Sequence, residues 1–324
     1  MARPLSQYAA WTLDTPLREI STSGGVFTEL ARTVFRNGGV VVAAGWLKSP
    51  FRVAHKVASQ ESDLDEMRGA KYAPSDMSDA WKDVNNALSK GRYCLFVGTP
   101  CQTAAIRKRF GSGSGKLLVC ALFCHSVPER SIWAKYVSEL ELAHGCPLKS
   151  VQFRCKKHGG TWRNGIFVAD FEDGQSPIIE PLAGNVYCDA FFMRLSTRRS
   201  CLNCRFKCGN SGADIMIGDF WGVEKSYPEL DDGKGLSAVL VYTSAGARVL
   251  AETKCELRTV EYQEIVACNK HLEHSVACNT ASRARFFRLC NTMTIEEALS
   301  KIRTRSMLGR IVSKVRMFIR RGIK

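Results

Sequence analysis

Cys201, Cys204 and Cys208 fall within eight positions of one another in the stretch RRSCLNCRFKCGNSGADIMIGDFWG (198–222). Arg198, Arg199, Arg205 and Lys207 surround them. Thiolates are soft ligands, and neighbouring cations favour thiolate over thiol. Such a turn, followed by the apolar run Ile215, Met216 and Ile217, suits a soft anionic group. An iron–sulfur cluster is one candidate and a structural zinc is another. A third reading has these cysteines as small buried hydrophobes. The Cys-x2-Cys-x3-Cys spacing leaves open which members ligate.

A four-sulfur site needs thiols from elsewhere, and Cys101 and Cys124 are the ones placed to supply them. YCLFVGTPCQTAAIRKRFG (93–111) reads as a strand over 93–97, with Thr99 as N-cap and Pro100 at the first helical position. Cys101 and Gln102 then lie in the first helical turn, where free N–H groups and the helix dipole lower a thiol's pKa. LLVCALFC (117–124) reads as a second strand ending in Cys124 and His125. Functional loops of α/β sheets lie at the carboxyl ends of strands, and both thiols occupy such an end. Of the six histidines, none has metal-ligand spacing, and only His125 stands beside a candidate thiol.

Three other groups can bind a cofactor. Ser21, Thr22, Ser23, Gly24 and Gly25 precede a helical repeat. Hydroxyls and free N–H groups at a helix start can cradle phosphate, though an ordinary N-cap with a tight turn gives the same pattern. Arg154, Lys156 and Trp162 place cations and an indole near a strand end. Cations stabilise a reduced anionic flavin and an indole stacks on its ring system; the plainer reading is a solvated strand edge. Asp219 and Trp221 can hydrogen-bond to and pack on a cofactor, or simply cap a strand.

The elements that must position these residues alternate. A helix is expected from Val26 to about Phe35, a strand over 40–46, helices over 59–72 and 76–90, and a helix over 128–142. Residues 1–20 read as an irregular lead-in. Beyond 150, strands at 151–156, 165–171 and 177–182 suggest a meander. A helix near 187–196, strands at 236–244 and 255–261, a helix at 245–253 and helical residues 281–300 follow. The pattern predicts an α/β fold with a mixed sheet: parallel strand–helix units in the N-terminal half, an α+β C-terminal half, and a C-terminal amphipathic helix. The expected division is 1–148, 149–300 and a tail over 301–324.

The chain has 324 residues, 45% hydrophobic and 24% charged, in the range of a soluble globular protein. No apolar run approaches the ~18 residues of a membrane span, and the N-terminus carries no apolar signal region. A cytoplasmic location follows as the expectation, where the 14 cysteines stay reduced. The net charge of +15 sits mostly in the tail: residues 301–324 hold nine Lys/Arg and no acid. That distribution argues against nucleic acid as a partner. The tail instead has an apolar face, including Leu308, Ile311, Val315 and Phe318, opposite its cations. It reads as a membrane-surface helix at the inner membrane, a partner-docking helix, or one docked on the core.

Four blocks resemble the beta subunits of coenzyme F420 hydrogenases and dehydrogenases. They are STSGG (21–25) with GAKY (69–72), VGTPCQ (97–102), CH (124–125), and FRCK with RRSCLNC and DIMIGDFWG between 153 and 222. The resemblance runs from about residue 18 to about 300, with blocks in the family's order. It implies an iron–sulfur flavoprotein in which a 4Fe–4S cluster feeds electrons to FAD. By motif, Cys101, Cys124, Cys201 and Cys204 become the cluster ligands. Ser21, Thr22, Ser23, Gly24, Gly25, Lys71, Tyr72, Thr99, Pro100, Gln102, Asp219 and Trp221 become cofactor-binding candidates, and Arg154, Lys156 and His125 catalytic ones. The chain departs from the family in two ways: it shows no N-terminal ferredoxin-like Cys module, and Ala70 stands where a serine is usual. It therefore resembles the family's C-terminal catalytic part. Electrons would come from a ferredoxin-like donor or partner subunit and pass to a small organic acceptor, which need not be F420. The rival expectations are a zinc-stapled binding protein whose tail contacts nucleic acid or anionic membrane, and a non-catalytic scaffold.

Overall fold

The computed structural model describes residues 3–48, 51–111 and 115–304. The tail helix expected beyond residue 304 lies outside the described residues. The chain opens with β1 (Ser6–Thr12) and α1 (Thr15–Ile20), not with an irregular lead-in. β1 escaped recognition because it pairs on both edges and shows no clean alternation; its Ala9 and Ala10 are fully buried. α2 (Val26–Arg36) follows, with Val26, Leu30, Ala31 and Val34 buried. β2 (Val40–Lys48) and β3 (Phe51–Ala58) then pair antiparallel.

Residues 59–72 form a single 3-10 turn over Glu61–Leu64 rather than the expected helix. Leu64 and Met67 are its only buried apolar anchors, and Gly69 turns the chain with φ +84°. Next come β4 (Ser75–Asp76), α3 (Ala80–Ser89), β5 (Cys94–Gly98), α4 (Pro100–Phe110), β6 (Leu117–Leu122) and α5 (Arg130–His144). β7 (Leu148–Cys155), β8 (Ile166–Phe171) and β9 (Ile178–Pro181) form the antiparallel meander. After α6 (Val186–Phe192), the chain returns to the main sheet with β10 (Ile215–Asp219). It continues through α7 (Val223–Ser226), β11 (Ser237–Val241), α8 (Ser244–Ala251), β12 (Cys255–Thr259), α9 (Tyr262–Cys268) and α10 (Thr280–Cys290). The helical stretch expected over 281–300 is broken at 291–294 and resumes over 295–304.

The main sheet has nine strands in the order β12-β1-β11-β10-β6-β5-β2-β3-β4. β10, β6, β5 and β2 run parallel, so their carboxyl ends share one edge. The start of β11 and the end of β1 reach the same edge, since Ser237 lies opposite Asp219 and Ala10. One face packs on α2 and α8 through Leu30, Val41, Leu95, Ile215 and Leu250. The other packs on α3, α4 and α9 through Val84, Phe96, Ile106, Met216 and Ile265. A separate core of Trp133, Phe153, Phe167, Tyr187 and Phe286 joins the meander to α5, α6 and α10. Each such large side chain stabilises the fold by about 1.5–3 kcal/mol. Cys94, Cys120, Cys155, Cys188 and Cys290 serve these cores as buried apolar groups. No helix among the described residues is long and apolar enough to cross a membrane.

Candidate functional site

The shared edge gathers four thiols. Thr99 caps α4 with a capping box: its N–H donates to Gln102 Oε1 at 2.9 Å, and Pro100 occupies the first turn. This geometry leaves Cys101 exposed, with its Sγ 3.2 Å from Thr99 Oγ1. Gly98 allows the turn, because a Cβ there would lie 3.0 Å from Gln102 Oε1. β6 ends one residue before Phe123, whose ring packs so closely on Gly218 of β10 that a Cβ would sit 2.3 Å away. That contact sets the path of the chain into Cys124.

The Cys201–Cys204 turn reaches the same place by two attachments. Pro128 bridges Thr197, Glu129 N donates to Ser196 O at 2.7 Å, and Arg198 N donates to Val127 O at 2.9 Å. On the far side, Cys204 N donates to Ser275 Oγ at 2.8 Å. The Lys207 ammonium, itself buried, donates to the carbonyls of Cys124 at 2.6 Å and His271 at 2.5 Å. Burial pushes the Cys124 thiol up to about 12. Lys207 opposes this, and the charges of Cys201, Cys101 and Cys204 add to it. Burial likewise raises Cys201, with Cys101 and Cys204 contributing. The four thiols therefore lie in one another's field.

Cys208 takes no part in that set. It has φ +58°, and its Sγ points to Glu273 O at 3.2 Å. The structure thus separates the members of the Cys-x2-Cys-x3-Cys run that the sequence leaves equivalent.

Four neighbouring thiols cannot all ionise side by side without a strongly positive group among them. A single tetrahedral zinc would need sulfurs about 3.8 Å apart, from the usual Zn–S bond length. Among the described residues, no group of three or more His, Cys, Asp or Glu closes round a single ion. Cysteine sulfurs drawn from three segments are the donor chemistry that a multi-iron cluster uses.

A second group lies further along the edge. Ser23 Oγ donates to Leu236 O at 2.7 Å, and Gly24 N donates to Ser237 Oγ at 3.0 Å. Gly24 O accepts from Thr12 N at 2.7 Å. Gly25 begins α2 in the left-handed conformation. Ser21 instead donates to Leu17 O at the end of α1, and Thr22 is half-buried beside it. Gly235 sits between the Ser23 carbonyl and the Lys156 ammonium: a Cβ there would lie 2.9 Å from the first and 3.2 Å from the second. Lys156 Nζ donates to Arg18 O and Lys234 O, at 2.9 and 2.6 Å. Burial lowers its pKa to about 8, helped by Arg18 and Arg154.

Arg154 continues the line. It donates to Asp219 Oδ2 and to Trp162 O, both at 2.5 Å, and lies over the Trp221 ring. Trp221 stacks on Trp162 with centroids 5.3 Å apart, so the indole expected beside a cofactor is partnered by another indole. Burial raises the Tyr72 phenol to about 12, against the pull of Arg154. Lys71 donates to Met67 O and Arg68 O, both at 2.9 Å, and burial lowers its pKa to about 7. The sequence candidates therefore fall into two neighbourhoods. Thr99, Pro100 and Gln102 support Cys101; Ser23, Gly24, Lys156, Arg154, Asp219, Trp221 and Tyr72 form the other. Sequence reasoning missed Gly235 and Ser237, which close the second neighbourhood. The signal was the Gly-Leu-Ser run opening a buried strand.

His125 lies on the side of the four thiols. Its ring meets the edge of His271 with centroids 3.9 Å apart. Burial lowers its pKa to about 4, with His271, Arg194 and Lys207 adding to the shift.

A mixed α/β sheet thus carries a thiol set and a cation-lined edge at its strand ends. The chain belongs to the coenzyme F420 hydrogenase/dehydrogenase beta subunit family. The family's C-terminal profile matches residues 91–265 and its N-terminal profile residues 7–82. The chain thus carries both parts, not the C-terminal part alone. Its fold is similar to that of a chain in the F420-reducing nickel–iron hydrogenase complex from Methanosarcina barkeri. The two are 18% identical, with a TM-score of 0.54, over 91% of this chain and 96% of that one. No curated protein sequence matches it.

Proposed function

We propose that this chain is an iron–sulfur flavoprotein oxidoreductase. Cys101, Cys124, Cys201 and Cys204 would hold a 4Fe–4S cluster, and the edge from Ser23 to Tyr72 would hold FAD. A cluster supplies single-electron transfer and a flavin converts single electrons into a pair or a hydride. The observation that carries the reading is the mutual approach of four thiols from three separate segments, with Cys208 turned away.

The chain's own groups suit these tasks. Lys207 and the α4 N-terminus place positive charge behind the thiolates. Thr22 and Ser23, partly exposed beside the buried Gly24 and Gly25, are the hydroxyls of this run that a phosphate can approach. Burial works against the charge on Arg154, yet Asp219 and Tyr72 outweigh it and hold its pKa high. A permanent cation at that point favours an anionic reduced ring. Lys156 Nζ, with its pKa near 8, can hold or release a proton close by. The electron donor is then a ferredoxin-like protein or partner subunit, and the acceptor a small organic molecule.

Anaerobic purification tests the proposal. The protein should be brown, contain iron, sulfide and FAD, and show broad absorption under the flavin bands. Colourless protein after cluster reconstitution with added FAD, or stoichiometric zinc without iron, overturns it.

A further inference from the structure

Beside the thiol set lies a group of basic side chains: Arg194, Lys207, His125 and His271. Arg194 Nε and His271 Nδ1 are both buried and have no hydrogen-bond partner. The charges acting on His125 are those of His271, Arg194 and Lys207, and none is a carboxylate. Arg194 and Lys207 act on His271 in the same sense. A buried guanidinium N–H without an acceptor is costly, and with His271 Nδ1 also unpartnered nearby it points to an absent partner.

The backbone adds an independent observation. Arg194 has φ +62° at the end of α6, where Leu195 N donates to Ala190 O at 2.9 Å. That is the position at which helices favour glycine. An arginine occupies that position against the local preference. Phe192 and Met193, just before it, are 44% and 41% exposed. Phe192 meets the Tyr72 ring edge-on at 5.7 Å, and Phe191 meets His125 at 6.0 Å. This basic group therefore stands between the thiol set and the Arg154–Asp219 group.

We propose that Arg194, His271 and His125 form an oxyanion site for the acidic group of an organic acceptor, with Phe192 and Met193 under its apolar part. A guanidinium N–H and an imidazole N–H both donate, which suits a phosphate or carboxylate oxygen. The assignment to an acceptor rests on the redox function proposed above; anion binding itself does not.

Calorimetric titration of the full chain with phenyl phosphate, benzoate and neutral benzamide tests the site. The two anions should bind and benzamide should not; the stronger anion distinguishes phosphate from carboxylate chemistry. Arg194→Gly should weaken anion binding at least about tenfold, the loss expected of one charge-assisted hydrogen bond. Its melting temperature should hold or rise, because glycine suits the backbone there. Arg194→Asn, which also tolerates that conformation, should weaken binding alike. Equal binding of all three probes, or undiminished binding in both variants, overturns the proposal. Anion binding by protein that takes up neither iron nor flavin would remove the redox function and leave the site standing. Cofactor-loaded protein that binds no anion would do the reverse.

Discussion

Arg154 Nη1 and Asp219 Oδ2 stand 2.5 Å apart with 7% and 15% of their side chains exposed, and this pair ties β7 of the meander to the carboxyl end of β10. Breaking such a pair from one side leaves a buried charge unmatched, at a cost of about 3–5 kcal/mol. Arg154→Met should lose stability of that order in urea denaturation. Arg154→Met with Asp219→Asn should recover part of it, because no uncompensated charge remains. A single variant within about 0.5 kcal/mol of the parent would show that the pair does not join the two sheets.

The thiol assignment separates two variants that sequence alone treats alike. Cys204→Ser and Cys124→Ser should each abolish or sharply reduce bound iron, since each removes one ligand of four. Cys208→Ser should retain iron and its absorption spectrum, because that sulfur faces Glu273. Iron and sulfide analysis after anaerobic reconstitution decides the matter. Iron loss in the Cys208 variant with retention in the Cys124 variant would exchange their roles.

The strand-end positions of Cys101 and Cys124 were legible because the apolar runs before them carry the pattern of buried strands. Cys101 follows β5 through a capped turn, and Cys124 follows β6 directly. Helix α2 and the meander were legible for the same reason, since one buried face imposes its period on the sequence. β1 and β3 were not: β1 opens on the polar Ser6 and Gln7, and β3 carries Arg52, His55 and Lys56 among its apolar residues. The stretch 59–72 misled because its charges follow helical spacing while only Leu64 and Met67 find a core. Gly235, Ser237 and the neighbourhood of Arg194 and His271 depend on approaches across more than 70 residues of chain, and no local pattern announces them.

Gly24 is required by its neighbours rather than by its own backbone angles. A Cβ there would lie 2.2 Å from the Ala10 carbonyl oxygen and 2.9 Å from Ser237 N, both main-chain atoms of the sheet. Neither can move without disturbing β1 or β11. Gly24→Ala should therefore destabilise by at least the 1–3 kcal/mol typical of overpacking, a fall of several degrees in melting temperature. The same change should weaken FAD binding, read by fluorescence titration, if the Ser23–Gly24 backbone forms the cradle. Full FAD affinity in a destabilised variant would confine Gly24 to a structural role.

His55 gives the fold a dependence on pH that can be tested apart from any cofactor. Its Nε2 donates to Val97 O at 3.1 Å, so Nδ1 accepts from Ser75 Oγ at 2.8 Å, and its ring stacks on Phe96. Burial lowers its pKa from 6.5 to about 4, against weaker opposing pulls from Val97 and Asp76. A histidine lowered in the folded state stays neutral there while the unfolded chain takes up a proton. Its contribution is complete above pH 6.5 and is lost progressively as pH falls towards 4. At about 1.4 kcal/mol per pH unit, the loss across that window approaches 3 kcal/mol. His55→Gln should be less stable at pH 7.5, where the imidazole's packing and hydrogen bonds are lost. It should also fall less steeply between pH 6.5 and 4.5, since glutamine takes up no proton. Urea denaturation at a series of pH values measures both slopes. Parallel curves for parent and variant would mean that His55 is protonated equally in the folded and unfolded chain.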